Sequence, residues 1–581
     1  MSQQPENERP SKDIFLSALT TDPDPLGLAE VGTQLSASLW FNPWNLWMRQ
    51  FQAAMQYFHL WQYATLRMWG IEVPPVAVPD AGDKRFKYED WEKELTWDVI
   101  KQSYLIASRF WVDLISSAGA GLDEQTLQKA DFFARQFVSA MAPTNFALTN
   151  PEVLEETRRT GGLNLSQGLE NFKRDIDPNT GMLRIKMADP NAFTLGKDIA
   201  TTPGKVVYQN RLMQLIQFKP ATPNVNKRPL LVVPPIINKY YIMDLKEKNS
   251  LIKWLVAQGH TVFLISWVNP DASYAQTKFD DYLSQGTLAA LDAIEKQTGE
   301  KTVNAIGYCI GGTLLGCTLA YMAAVGDNRI GSATFFTTML DFSEPGELGV
   351  FLSERSVAAI EQKNAERGYL EGAEMAGAFS SMKENDLMWS FWINNYLMGR
   401  PLSAFDMLYW NSDSTNMPAA MHSFYLRNMY LENNLCKPGG ITLLGQPIDL
   451  SKITVPCTFV SAIEDHIAPW KSNYMGARLL GGPVRFVLGG SGHIAGIINP
   501  PAGGKYCYWV NEGSNLPENP DEWLSSAAKA PGSWWTDWQS WVVSLAQEMV
   551  PARDPEQGPL GVIEDAPGAY CSKRLDSAKT A

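Results

Sequence analysis

Apolar positions in the first two hundred residues recur every three or four places, the spacing of helices that bury one face. Between Leu39 and Trp69 an aromatic, Met-rich run puts Trp40, Trp44, Trp47, Phe51, Met55 and Trp61 on one stripe. That stripe suits core packing against neighbouring helices, or docking on an apolar surface or partner helix. Segments 88–118, 124–142 and 151–173 share the helical period. Residues 1–35 are polar with scattered Pro and Gly, and are expected to be poorly ordered. The prediction is a mostly helical N-terminal domain over residues 36–201.

Near Pro203 the period changes. KVVYQNRLMQLIQFKP alternates as a hairpin does, and apolar strands then take turns with helices. Strands are predicted at 229–235, 261–267, 302–308, 332–338, 457–463 and 484–488. Helices fall between them at 245–258, 279–297, 311–325 and 470–480, with a Trp-rich one at 534–548. Such a series builds a parallel sheet wrapped by helices on both faces, an α/β fold. The alternation breaks between about 340 and 440, where aromatic, irregular and helical segments contain no strand of the series. This insertion reads as a cap over the sheet's C-terminal edge, inside a catalytic domain spanning 202–581. The tail, 551–581, is rich in Pro and Gly and is expected to lie along the surface.

Charge narrows the partners. Lys and Arg number 49 against 62 Asp and Glu, a formal net charge of −13. Nucleic acid is a poor partner for that balance, because binding a polyanion relies on clustered Lys and Arg. The cysteines, Cys309, Cys317, Cys436, Cys457, Cys507 and Cys571, contain no Cys-x-x-Cys pair and form no disulfide framework. The N-terminal stretch MSQQPENERPSKD lacks a secretory apolar region, so a reducing cytoplasm is expected. The uncharged run from Thr302 to Gly326 is long enough to suggest a membrane span. Asn304, Gly307, Gly311 and Gly312 interrupt it, and a buried strand, tight turn and buried helix explain it better.

That turn carries the candidate chemistry. Gly307-Tyr308-Cys309-Ile310-Gly311 is G-x-C-x-G, the nucleophile-elbow pattern with Cys in place of Ser. A cysteine there sits at a helix N-terminus, which favours the thiolate, and the N–H of Ile310 can serve a developing oxyanion. A triad on such a fold needs an acid and then a histidine further along. Asp465 follows the strand at 457–463, and His493 follows the strand at 484–488 within GGSGH. His59, His260 and His422 fit structural roles better, and His466 adjoins the acid too closely to share a point with it. Cys317 fits core packing. No His or Cys spacing suits a metal. Gly490-x-Gly492-x-x-Ala495 loosely fits a dinucleotide fingerprint, but Asn499-Pro500-Pro501 cuts off the helix that motif requires. No cofactor is expected.

With these residues placed, the chain resembles the class I polyhydroxyalkanoate synthases. The matching phrases are VPPIINKYYIMDL (233–245), GYCIGGT (307–313), YWNSDSTNMP (409–418), AIEDHIAPW (462–470), GGSGHIAGIINPP (489–501) and WWTDWQSW (534–541). The resemblance implies an α/β-hydrolase fold and an acyltransferase that polymerises short (R)-3-hydroxyacyl-CoA, such as 3-hydroxybutyryl-CoA, with release of CoA. It implies Cys309 as the acylated nucleophile, His493 as the base, and Asp465 as the residue that orients and charges it. Ile236 stands where some members carry a cysteine, and is a candidate second backbone oxyanion donor. Trp410 lies in a shared phrase and is expected to support the cap or a dimer contact. The cap residues Trp389, Phe391, Trp392, Phe405, Tyr409 and Trp410 are expected to line or close a tunnel above Cys309. Implied partners are the growing polyester chain, the granule surface with its associated proteins, and a second copy of the chain when active. A Cys-type hydrolase, such as an intracellular polyester depolymerase or thioesterase, would share the triad. A non-catalytic granule coat would not need it.

Overall fold

The computed structural model describes residues 24–118, 122–178, 181, 183–511, 513 and 516–574. The N-terminal region opens with α1 (Leu28–Phe41) and α2 (Pro43–Met68). Pro43 stands in the first turn of α2, and the Asn42 side chain accepts from the Asn45 N–H, a fitting N-terminus. The expectation of disorder over 1–35 is thus corrected at its end, since residues 28–35 are helical; residues 1–23 lie outside those described. From α2 only Leu60 and Tyr63 are buried, packed towards α3 (Leu95–Ser117), where the Tyr63 hydroxyl donates to Asp98 at 2.6 Å. The aromatic stripe faces outward: Trp44 is 68% exposed and Trp61 64%. Core packing therefore does not explain that stripe.

Further on come α4 (Glu124–Ala140), α5 (Pro151–Thr160) and α6 (Leu163–Asp175). The single helix predicted at 151–173 is two, parted at Gly161 and Gly162, both at positive φ. This helical region packs closely on the cap. Phe132 on α4 meets Phe351 edge-on at 5.5 Å, and Tyr396 donates from its hydroxyl to Asp175 at 2.9 Å.

Past residue 203 the chain builds one 11-stranded sheet. Its strands are β1 (Gly204–Gln209), β2 (Met213–Phe218), β3 (Leu230–Val233), β4 (Val262–Trp267), β5 (Val303–Tyr308), β6 (Ile330–Phe336), β7 (Cys457–Ala462), β8 (Val484–Gly489), β9 (Cys507–Val510), β10 (Ala528–Pro531) and β11 (Glu564–Asp565). The order is β10-β9-β8-β7-β6-β5-β3-β4-β2-β1-β11. From β4 to β8 the strands run parallel, and β1 and β2 form the expected hairpin with Val206 opposite Ile216. The parallel strands read as unbroken apolar runs because helices cover both faces. Strand β5, for example, is buried at every position. The uncharged run is β5, a turn and the buried helix α7 (Ile310–Val325). Among the described residues no helix is long and apolar enough to cross a membrane.

Two details depart from expectation. The antiparallel strands β9 and β10 extend one sheet edge, and β11 in the tail pairs with β1 on the other. The tail is therefore part of the sheet rather than a surface strap; Cys571, beyond β11, is buried. Between β6 and β7 lies the insertion, mostly helical but with a short two-stranded ladder between Tyr369–Leu370 and Met417–Pro418. It includes α8 (Asp406–Asn411) and the stretch Ala419–Tyr425 with a wide π turn after it.

Candidate active site

At the end of β5 the chain turns sharply through Cys309, whose φ is 54°, a left-handed conformation rare for a side-chain-bearing residue. Close packing imposes it. A Cβ on Gly311 would sit 2.3 Å from the Pro234 carbonyl oxygen, and one on Gly312 would sit 2.0 Å from Thr338 Oγ1. The Cys309 N–H donates to the Phe336 carbonyl at 2.9 Å, and its own carbonyl accepts from Gly312 and Thr313 N–H at 2.8 and 3.1 Å. With its backbone tied down on both sides, Cys309 keeps its half-buried thiol at the start of α7.

Asp465 and His493 arrive from the next two strands. The loops leaving β7 and β8 are pinned together, Ile463 N–H to the Gly489 carbonyl and Glu464 N–H to the Ser491 carbonyl, both at 2.9 Å. Asp465 Oδ1 accepts the N–H groups of Ile467 and Ala468 at 2.9 Å each. Its Oδ2 is then free to take His493 Nδ1–H at 2.7 Å. The acid's side chain is fully buried, and the histidine's is 11% exposed. The Tyr308 hydroxyl holds the His493 carbonyl at 3.0 Å, and its ring lies 5.8 Å from the imidazole. Cys309 lies close enough to His493 for its charge to help hold the imidazolium. Burial by itself would push the imidazolium pKa down. The Asp465 carboxylate, then Cys309, outweigh it and raise the group to about 10.

The structure thus brings Cys309, Asp465 and His493 to one sheet edge in the order expected of them. Glu464, beside the acid, is exposed instead. His466 is half-buried and drops to about pKa 4, first from burial and then from Lys383. His260 is buried between Asn226 and Gln539, and His422 against Asn364. His59 is exposed on α2. Cys317 is buried on α7, where burial raises its thiol. Ile310 opens α7. Ile236 lies just past β3, in the stretch whose Pro234 carbonyl rests on Gly311. Among the described residues no cluster of His, Cys, Asp or Glu could hold a metal ion.

The cap aromatics need a correction. Trp392 donates to the Asn145 carbonyl at 3.0 Å and packs on Phe172, while Trp389 packs on Trp392. Tyr409 stacks edge-on against Phe193, and Phe405 is exposed. Trp389, Trp392 and Tyr409 thus fasten the cap to the N-terminal half of the chain. Trp410 is buried, with its indole N–H on the Lys239 carbonyl at 2.7 Å, so it is an internal cap anchor here. Tyr425 and Tyr430, grouped with Phe342 at ring separations of 4.9–6.1 Å, lie near enough to feel the charge of Cys309. Burial raises both hydroxyl pKa values, and the charge of Cys309 adds to the rise in each. No local motif marks them, because an irregular insertion brings them to the site.

A mostly parallel sheet with a cysteine elbow after β5, an acid after β7 and a histidine after β8 defines an α/β hydrolase. Residues 237–500 match the family model for the alpha/beta hydrolase fold. Residues 82–255 match that for the poly-beta-hydroxybutyrate polymerase (PhaC) N-terminus. The chain is 49% identical to the poly(3-hydroxyalkanoate) polymerase of Methylorubrum extorquens, over 88% of this chain and 84% of that one. It is 47% identical to poly(3-hydroxyalkanoate) polymerase subunit PhaC of Rhizobium meliloti (strain 1021), over 89% and 84%. With the Cupriavidus necator subunit of that name it shares 41% identity, over 84% and 82%. The chain belongs to the poly(3-hydroxyalkanoate) polymerase family, and it is an enzyme of that activity.

Proposed function

We propose that the chain builds polyester through an acyl-enzyme on Cys309, using short (R)-3-hydroxyacyl-CoA such as 3-hydroxybutyryl-CoA. The observation that supports it most is the Asp465–His493 hydrogen bond at 2.7 Å, beside a cysteine whose charge the imidazole feels. The match to the poly-beta-hydroxybutyrate polymerase N-terminus supports the short monomer.

The Asp465 carboxylate makes His493 a strong enough base to take the Cys309 proton as the sulfur attacks. The sulfur attacks the thioester carbonyl while backbone N–H groups of Ile310 and Ile236 receive the oxyanion. The C–S bond to CoA breaks, and His493 returns its proton to the departing thiolate. Acylation also removes the Cys309 charge, one of the two influences holding His493 up. The ring is then neutral, ready to take the proton of a 3-hydroxyl as that oxygen attacks the acyl-enzyme. The new ester leaves, and the starting charges return. Acylation exchanges one thioester for another at little net cost, and ester formation from the thioester runs downhill, so no cofactor enters. The buried Tyr425 and Phe342, with the half-buried Tyr430, restrict water, which competes with the hydroxyl for the same acyl group.

Incubation of the protein with (R)-3-hydroxybutyryl-CoA, following CoA release and product size together, tests this reading. Most released CoA should appear as long polymer. Free 3-hydroxybutyrate as the main product would favour the hydrolase instead.

The exposed aromatic stripe on α2 supports attachment to an apolar polyester granule in the cytoplasm, and the active form is proposed as a homodimer. Trp44→Ser with Trp61→Ser should leave CoA release on soluble substrate intact, because neither side chain is buried. Sedimentation with isolated granules should fall several-fold. Unchanged co-sedimentation would remove the stripe from granule binding.

A further inference from the structure

Asp413 belongs to the cap, two residues past α8, yet its carboxylate is buried against the stretch that leaves β3. Lys239 donates to Oδ2 at 2.9 Å, and both side chains are 1% exposed. The Tyr241 hydroxyl donates to Oδ2 at 2.9 Å as well. From the tail, the Arg574 guanidinium comes within 4.0 Å and lies over the Tyr409 ring.

Around this ion pair the two stretches are stitched together. Trp410 donates to the Lys239 carbonyl at 2.7 Å, Thr415 Oγ1 to the Ile236 carbonyl at 2.8 Å, and Thr415 N–H to the Ile237 carbonyl at 3.2 Å. Asn238 and Ser414 form an antiparallel bridge between them. On its other side the same stretch rests on the elbow helix through Pro234 and Gly311. Residues 236–241 are thus clamped between cap and elbow. A buried Lys–Asp pair is a weak source of stability, since desolvation cancels most of its attraction, but it is demanding in geometry. Its position here matches a need to hold the backbone at Ile236 still: the carbonyl that Thr415 binds opens the next peptide unit and fixes the Ile236 N–H through the Cα between them.

We infer that Asp413 and Thr415 are positioning residues that hold the Ile236 N–H for the oxyanion, so that docking of the cap stretch 410–416 completes the site for acyl transfer. The inference rests on the acyl-enzyme reading with Ile236 as a donor. It makes cap closure and catalytic competence one event: a cap that lifts also releases the donor.

The test uses two reactions of Cys309 in the full chain. Acylation by 3-hydroxybutyryl-CoA in a single turnover develops an oxyanion. Alkylation by iodoacetamide does not, because the sulfur displaces iodide at a saturated carbon. Thr415→Val keeps the shape and removes the donor to the Ile236 carbonyl. It should slow acylation by about tenfold to hundredfold, the scale of a misplaced catalytic group, and leave alkylation unchanged. Thr415→Ser should restore acylation. Asp413→Asn, where it folds, should give the same split. Acylation at the parent rate in Thr415→Val would overturn the inference, as would equal losses in both reactions, which would mean a loosened elbow. A parent chain that polymerises without ever carrying acyl on Cys309 would instead overturn the acyl-enzyme reading, and this inference with it.

Discussion

Cys309→Ala should abolish CoA release while the chain stays folded. The strain at this residue belongs to the backbone, and its ties do not use the thiol: the N–H is held by Phe336 and the carbonyl by Gly312 and Thr313. Alanine fits that turn no worse than cysteine. What disappears is the thiol that His493 serves as a base. General-base catalysis of direct transfer to a hydroxyl would remain, but without the covalent step it must bring acyl donor and hydroxyl together at once. Residual CoA release below about one per cent of the parent is expected, because nucleophile loss removes the covalent route itself. Stopped assays on purified protein, with circular dichroism to confirm folding, check it. Substantial remaining activity would place the nucleophile elsewhere. Cys317 is a poor substitute, buried on α7 with its thiol held in the neutral form.

The triad was legible because each member follows a strand whose apolar run is itself plain: β5 before Cys309, β7 before Asp465 and β8 before His493. Local pattern and local function coincide there. The stripe on α2 shows the limit of periodicity, which identifies a face but not what it meets. Two explanations stood until burial placed Leu60 and Tyr63 inward and the tryptophans outward. Strands β9 and β10 left no clear trace, since CYWV is only half-buried and AKAP lies largely at the surface. The two-residue β11 is shorter than any pattern can show. In the cap, aromatic content suggested a lining, and the direction of each ring decided otherwise. Trp392 and Tyr409 bind distant chain, while Tyr425 and Tyr430 come near enough to feel the charge of Cys309 through folding that no spacing rule describes.

His493→Gln should block acylation more severely than Asp465→Asn, and only the second variant should shift the pH profile. Glutamine cannot accept the thiol proton, so the loss should be on the order of 10²- to 10⁴-fold at pH 7, the usual scale of general-base catalysis. Asparagine leaves a base in place but removes the strongest influence holding it up. Burial persists, so the imidazolium pKa must fall from about 10. A weaker base draws the thiol proton less completely, yet a cysteine at a helix N-terminus keeps some thiolate without help. The Asp465→Asn loss should therefore be the smaller one, and the alkaline fall in acylation, where His493 no longer carries the proton for the departing CoA thiolate, should move to lower pH. Stability follows the same sign. A histidine raised above 6.5 contributes fully below that pH and loses its contribution as pH rises through about 10. Asp465→Asn should remove much of that contribution in neutral solution, narrowing the difference in thermal midpoint between pH 6 and pH 9. Single-turnover acylation and iodoacetamide alkylation, each measured from pH 5 to 10, decide the matter. Equal losses in the two variants, or an unmoved alkaline limb in Asp465→Asn, would show that the carboxylate does not set the basicity of His493.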